Sequence, residues 1–132
     1  MALPERNIKI LIVDDAPMIR RILKNLLKEM GFTNLEEAED GMVALQKLRS
    51  QKFDFVITDW NMPNLTGIEL VQEIRKDPNL KHIPIMMVTA EAKKENIILA
   101  LKSGVNNYIV KPFTPENVKN KIEAIFSAKS KK

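Results

Sequence analysis

Five polar residues share a position type in this chain: each follows directly on a short apolar run. Asp14 and Asp15 follow IKILIV, Asp59 follows FDFVIT, Thr89 follows IPIMMV and Lys111 follows NYIV. Three carboxylates gathered in one pocket repel, at on the order of 4 kcal/mol for a pair about 4 Å apart at an effective dielectric of about 20. A cation must offset that. Lys111 supplies one positive charge, and a divalent ion could supply the rest. With oxygen donors only, and no Cys or neighbouring His, Mg²⁺ or Mn²⁺ suits such a site better than Zn²⁺. Mg²⁺ is commonly held by one or two carboxylates and a phosphate oxygen, which directs attention to phosphate chemistry. The sequence has no Gly-rich phosphate loop, so a bound nucleotide is not expected. A carboxylate can itself attack phosphorus and form an acyl phosphate. Asp59, alone at its strand end and facing the other two acids, is the expected nucleophile. Thr89 would donate to a phosphoryl oxygen, while metal and Lys111 neutralise the equatorial oxygens during transfer.

These groups can meet only if the chain brings the run ends together. Residues 8–13, 34–38, 53–58, 83–88 and 107–110 read as strands; most are nearly continuous apolar runs too short for helices, and 34–38 is the weakest. Between them lie helical patterns. The first runs from Pro17 to a stop at Gly31, with Ile19, Ile22, Leu23, Leu26, Leu27 and Met30 at three- and four-residue steps. Others open at Asp40-Gly41 and at Thr66 or Gly67, cover 92–103, and run from Pro115 to Ser127. Five β-α units imply one α/β domain, a doubly wound parallel sheet with helices on both faces. In such sheets ligands bind beyond the carboxyl ends of the strands. All five polar residues fall at those ends, on four different strands.

The 132 residues suit one domain, 45% of them apolar and 29% charged. No run is long enough to span a membrane, and the start MALPERNIKILIVDD lacks the form of a signal peptide. Absence of cysteine excludes disulfides and thiolate metal sites. The net charge of +4 raises the question of nucleic acid. The excess sits partly in AKSKK and Lys93-Lys94, with no interleaved aromatics, so neither nucleic acid nor membrane is an expected partner. A cytoplasmic monomer is expected, with a core at about 7–127 and a short basic tail at 128–132.

The segments ILIVDD, ITDWNMP, MMVTAEA and YIVKPF resemble those of bacterial response-regulator receiver domains, over roughly residues 7–127. DWNMP, TAEAKKEN and NYIVKPFTPENV are most similar to the single-domain chemotaxis regulators. The resemblance implies a (βα)5 fold with flavodoxin-like strand order 2-1-3-4-5. It implies that Asp59 takes a phosphoryl group from a histidine kinase. Asp15, Asp59 and the Asn61 backbone carbonyl would ligate Mg²⁺, Asp14 through a metal-bound water, and Lys111 would pair with phosphoryl oxygens. A cis Lys111-Pro112 bond is implied, aiming the ammonium inward. Asn61 and Glu91 would tune dephosphorylation by admitting or blocking an in-line water. Thr89 and Tyr108 would form a switch, the hydroxyl moving toward the phosphoryl group as the ring turns inward. Lys93, Lys94, Tyr108 and Lys121 would lie on or near the partner face, read by a flagellar motor switch protein. A phosphatase is a further possible partner.

Plainer roles compete at each position. Asp14 or Asp15 could cap the first helix, Thr89 could cap the fourth, and Asn61 could mark a turn. Lys111 could be a solvated lysine and Tyr108 fixed packing; the methionines, Met86 and Met87 among them, read as core filler. Ala16-Pro17 departs from the polar residue that many receivers carry after the acidic pair. Two other functions fit the same chemistry. A phosphorelay shuttle would have an identical site. An aspartyl phosphatase would need a second Asp two residues after the nucleophile, where this chain has Asn61. Slow self-dephosphorylation is expected rather than turnover of metabolites.

Overall fold

The apolar runs pair laterally into one five-stranded sheet. In the computed structural model, which describes residues 3–130, the elements are β1 (Ile10–Val13), α1 (Pro17–Glu29), β2 (Leu35–Ala38), α2 (Gly41–Ser50), β3 (Phe55–Thr58), α3 (Gly67–Lys76), β4 (Ile85–Thr89), α4 (Lys94–Ser103), β5 (Asn107–Val110) and α5 (Pro115–Ser130). All pairings are parallel, in the order β2-β1-β3-β4-β5. The expected order is therefore the observed one.

Every residue of β1, β3 and β4 is buried, as continuous apolar runs require in a sheet covered on both faces. Side chains alternate between two cores. Leu11, Val13, Val56, Ile85 and Met87 pack with α2, α3 and Ala100 of α4. Ile10, Ile12, Phe55, Ile57, Met86 and Val88 pack with Leu23 and Leu27 of α1 and with Val118, Ile122 and Ile125 of α5. Each such side chain contributes about 1.5–3 kcal/mol on burial.

Local chemistry sets the element ends. Thr66 and Glu69 form a reciprocal capping box that starts α3. Asp40 accepts from the Val43 N–H and starts α2. The N-cap of α1 is Ala16, without a side-chain bond, so neither Asp14 nor Asp15 is that cap. The N-cap of α4 is Lys93, so Thr89 does not cap that helix. Gly31 and Gly104 close α1 and α4 with φ of 101° and 117°, where a Cβ would be strained. Strand β4 starts at Ile85, after Pro84, which has no N–H for a ladder. Helix α5 continues to Ser130, past the expected end at Ser127, because Ala128, Lys129 and Ser130 contain no helix breaker. Part of the expected tail is thus helical; its last two residues, 131 and 132, lie outside the described region.

Consecutive strands lie on opposite sides of β1: β2 on one flank, β3 on the other. The crossovers after β1 and β3 therefore leave on opposite faces, and a crevice opens beyond their carboxyl ends.

Candidate acidic site at the carboxyl edge of the sheet

The acids predicted to meet do meet. Asp14, Asp15 and Asp59 each place a carboxylate oxygen within 4.8 Å of the others. Asp14 sits just past β1 and is 1% exposed. Its Oδ1 accepts the Ala16 N–H at 2.9 Å, and its Oδ2 accepts from Lys111 Nζ at 3.1 Å. Asp59, just past β3, accepts the Trp60 N–H on Oδ1 at 2.6 Å and Lys111 Nζ on Oδ2 at 3.4 Å. Asp15 is exposed. Lys111 reaches over from β5; its backbone N–H is held by the Thr89 carbonyl at 2.8 Å, and the Lys111-Pro112 peptide is cis. One ammonium thus bridges two buried carboxylates drawn from different strands.

Burial pushes the Asp14 carboxyl above the ordinary aspartate range, and the neighbouring Asp59 adds to this. The Ala16 N–H and the Lys111 ammonium oppose the shift without cancelling it. One lysine does not neutralise three acids, so the cluster carries a charge deficit that a divalent cation would relieve. Its donors are oxygens, the preference of a hard ion such as Mg²⁺. The residues present therefore fit such an ion.

Around this centre lie the other expected site residues. Thr89 is the last residue of β4 and fully buried; its Oγ1 accepts the Glu91 N–H at 3.4 Å. Asn61 donates from Nδ2 to Glu91 Oε2 at 3.1 Å, so its side chain is engaged at the rim. Tyr108 is turned inward, 7% exposed, and its hydroxyl donates to the Glu91 carbonyl at 2.7 Å. Burial, and then the charges of Glu91 and Asp59, push the Tyr108 phenol up to about 12. Of the residues expected on the outer face, Lys93 and Lys94 are exposed, Lys121 is half-buried and Tyr108 is buried. Helix α4 itself exposes Ile98, Leu99 and Leu101, apolar side chains that no motif singled out.

Three supporting residues also went unnoticed. Arg20 donates to the Asp14 carbonyl and to Glu37 Oε1, tying α1 and β2 to the end of β1. Asn96 donates to Glu91 Oε1 at 3.0 Å, opposite Asn61. Asn64 donates to Asp40 Oδ2 at 2.8 Å. In sequence they are ordinary helix and loop residues, and no periodicity marks them. A shallow groove of about 760 Å³ lies elsewhere, between Leu3, Arg6, Met30 and Pro115, and shares no residue with the acids.

Comparison with known proteins agrees with this geometry. The family model described as "Response regulator receiver domain" matches residues 10–123. The chemotaxis protein CheY-3 of Vibrio cholerae is 56% identical over 125 residues, covering 95% of this chain and 96% of that protein. The chemotaxis protein CheY of Pseudomonas aeruginosa is 59% identical over 118 residues, covering 89% and 95%. Among solved structures, Vibrio cholerae CheY4 superposes with a TM-score of 0.83 at 35% identity, covering 90% of this chain and 98% of that one. The receiver domain of a sensor histidine kinase from Pseudomonas aeruginosa, with a magnesium ion coordinated in its active site cleft, gives 0.82 at 26% identity, covering 92% and 98%. Five parallel strands, an acidic triad two of whose members a strand-end lysine bridges, and a family match over nearly the whole domain lead to one assignment: this chain belongs to the response regulator receiver domain family.

Proposed function

We propose that this receiver is a chemotaxis switch whose phosphoacceptor is Asp59. The observation that carries the assignment is the bridge from Lys111 Nζ to Asp14 and Asp59 within a triad of acids. A carboxylate oxygen of Asp59 attacks the phosphorus of a kinase phosphohistidine. A P–O bond forms as the P–N bond breaks, and the imidazole, protonated on its other nitrogen, leaves as a neutral ring. The Asp59 side chain is poised for this, since the Trp60 N–H fixes Oδ1 at 2.6 Å and Oδ2 faces the ammonium. Asp14, Asp15, Asp59 and the Asn61 carbonyl are the groups that would hold Mg²⁺, which when bound supplies charge neutralisation at the phosphoryl oxygens. Mn²⁺ has the same oxygen preference and would substitute.

Lys111 neutralises a second part of the developing charge, and the Thr89 hydroxyl donates to a phosphoryl oxygen. Movement of Thr89 and the inward seat of Tyr108 are linked, because both bond Glu91 through its backbone. The phosphoryl dianion therefore biases a two-state element whose far side is the surface of α4, β5 and α5. Lys93, Lys94 and Lys121, with the apolar residues of α4, form the surface a partner reads. Asn61 and Glu91, joined across the rim, set the access of an attacking water and hence the lifetime of the phosphoryl group. The chemotaxis proteins among its relatives support a chemotaxis kinase as donor and a flagellar motor switch protein as output partner.

The test is phosphorylation by acetyl phosphate with Mg²⁺. Asp59→Asn is expected to abolish incorporation. Continued labelling at another residue would overturn the assignment.

A further inference from the structure

The loop between β3 and α3 must present the Asn61 carbonyl to the acidic site, yet two of the contacts that fix it come from the start of α2. Asn64, at the centre of that loop, has a φ of 69°, and the Leu65 N–H reaches back to the Pro63 carbonyl at 2.7 Å. This is a tight three-residue turn with a left-handed residue, a conformation that persists only where its surroundings hold it. Asp40 holds it. Asp40 is 7% exposed; one carboxylate oxygen accepts the Val43 N–H at 2.9 Å at the start of α2, and the other accepts Asn64 Nδ2 at 2.8 Å. Gly41 lets the helix start approach the same loop, since a Cβ there would lie 2.4 Å from the Leu65 carbonyl oxygen. At the far end the Gly67 N–H bonds the Trp60 carbonyl at 2.7 Å, and a Cβ on Gly67 would lie 2.0 Å from the Asp59 carbonyl oxygen.

We infer that Asp40 and Asn64 are positioning residues for the metal site: their bond sets the Asn61–Thr66 turn so that the Asn61 carbonyl faces the three acids. The inference rests on the metal site of the preceding section and adds residues to it that touch neither metal nor phosphoryl group. Groups behind first ligands commonly govern metal affinity, because they determine whether a ligand is held in place or must be ordered on binding. Asp40 also caps a helix, so loss of stability alone would not distinguish the two roles. A partner exchange does. In Asp40→Asn, the amide oxygen can still accept from Val43, but its NH₂ faces the NH₂ of Asn64. In the double variant Asp40→Asn with Asn64→Asp, donor and acceptor are exchanged and the bond is restored. Aspartate, like asparagine, tolerates φ above zero.

The measurement is Mg²⁺ affinity from Trp60 fluorescence, at a temperature where circular dichroism shows every variant folded. Asn64→Ala, which leaves the α2 cap intact, and Asp40→Asn are each expected to weaken Mg²⁺ binding about tenfold, the low end for supporting residues. The double variant is expected to recover most of that loss. Unchanged Mg²⁺ affinity in Asn64→Ala, or failure of the exchange to recover affinity in a folded double variant, overturns the inference. Absence of any Mg²⁺ response in the unsubstituted protein would overturn the metal site itself, and this inference with it.

Discussion

Asp14→Asn is the substitution that best separates stability from function here. Asp14 is 1% exposed and meets Lys111 Nζ at 3.1 Å, an attraction of about 5 kcal/mol at an effective dielectric of about 20. The Asp59 carboxylate lies within 4.8 Å and returns a repulsion of at least about 3.5 kcal/mol on the same scale. Asp15 adds a smaller, solvent-screened repulsion, so the pairwise effects nearly cancel. What survives is the cost of burying the charge, which is why the Asp14 carboxyl is raised rather than lowered. The neutral amide removes that cost and keeps the oxygen that accepts from Ala16. The metal-free variant is therefore expected to be more stable at pH 7 by about 1–2 kcal/mol, raising Tm by roughly 4–8 °C.

The pH dependence follows from the sign of the shift. A folded-state value above the unfolded one means that the native protein binds more protons between the two. Stability then falls as pH rises from near 3.8 through the raised value, and is lost to the same extent at all higher pH. The advantage of Asp14→Asn should vanish at low pH, where both forms are neutral. Urea unfolding in EDTA across this range measures it. Saturating Mg²⁺ should narrow or reverse the ranking, since the unsubstituted protein, with one more negative charge at the site, gains more binding energy than the variant. An Asp14→Asn variant less stable by 1 kcal/mol or more in EDTA at pH 7 would refute the reasoning: the lysine bridge would then outweigh the burial of charge.

Other expectations are simpler. Tyr108 should resist ionisation in a spectrophotometric titration until about pH 12, and stability should fall as pH rises above 10, because its folded-state value lies above the ordinary 10.0; a midpoint near 10 would mean that the ring is not seated inward. Tyr108→Phe removes a hydroxyl bonded to the Glu91 carbonyl and should cost about 1 kcal/mol in urea unfolding. Gly67→Ala places a Cβ 2.0 Å from the Asp59 carbonyl oxygen. It should destabilise by about 1–3 kcal/mol and slow phosphorylation by acetyl phosphate, whereas wild-type rates would show that the loop yields freely.

Much of this protein was legible along the chain. Continuous apolar runs of four to six residues, each closed by a polar group, marked four of the five strands, and their alternation with helical patterns implied the parallel sheet; β2 at 34–38 was the weakly marked one. Consistent placement of Asp14, Asp15, Asp59, Thr89 and Lys111 at run ends pointed to one edge and to oxygen-donor chemistry. Those inferences succeed because burial acts on residue type and period, which a sequence displays directly. Tertiary structure alone decided the rest. Which oxygen of Asp59 faces Lys111, why Asp14 rather than Asp15 carries the burial cost, and that Tyr108 points inward are matters of distance between remote segments. The clamp of Asp40 on Asn64 joins residues 24 positions apart in two loops, and Asp40 had read only as the start of a helix. Hydrogen-bond partners across loops leave no periodic trace, because their geometry depends on how closely α2 and the β3–α3 turn pack. That packing depends in turn on Gly41, and the seat of α3 against Asp59 on Gly67; their missing side chains are informative only once their neighbours are known.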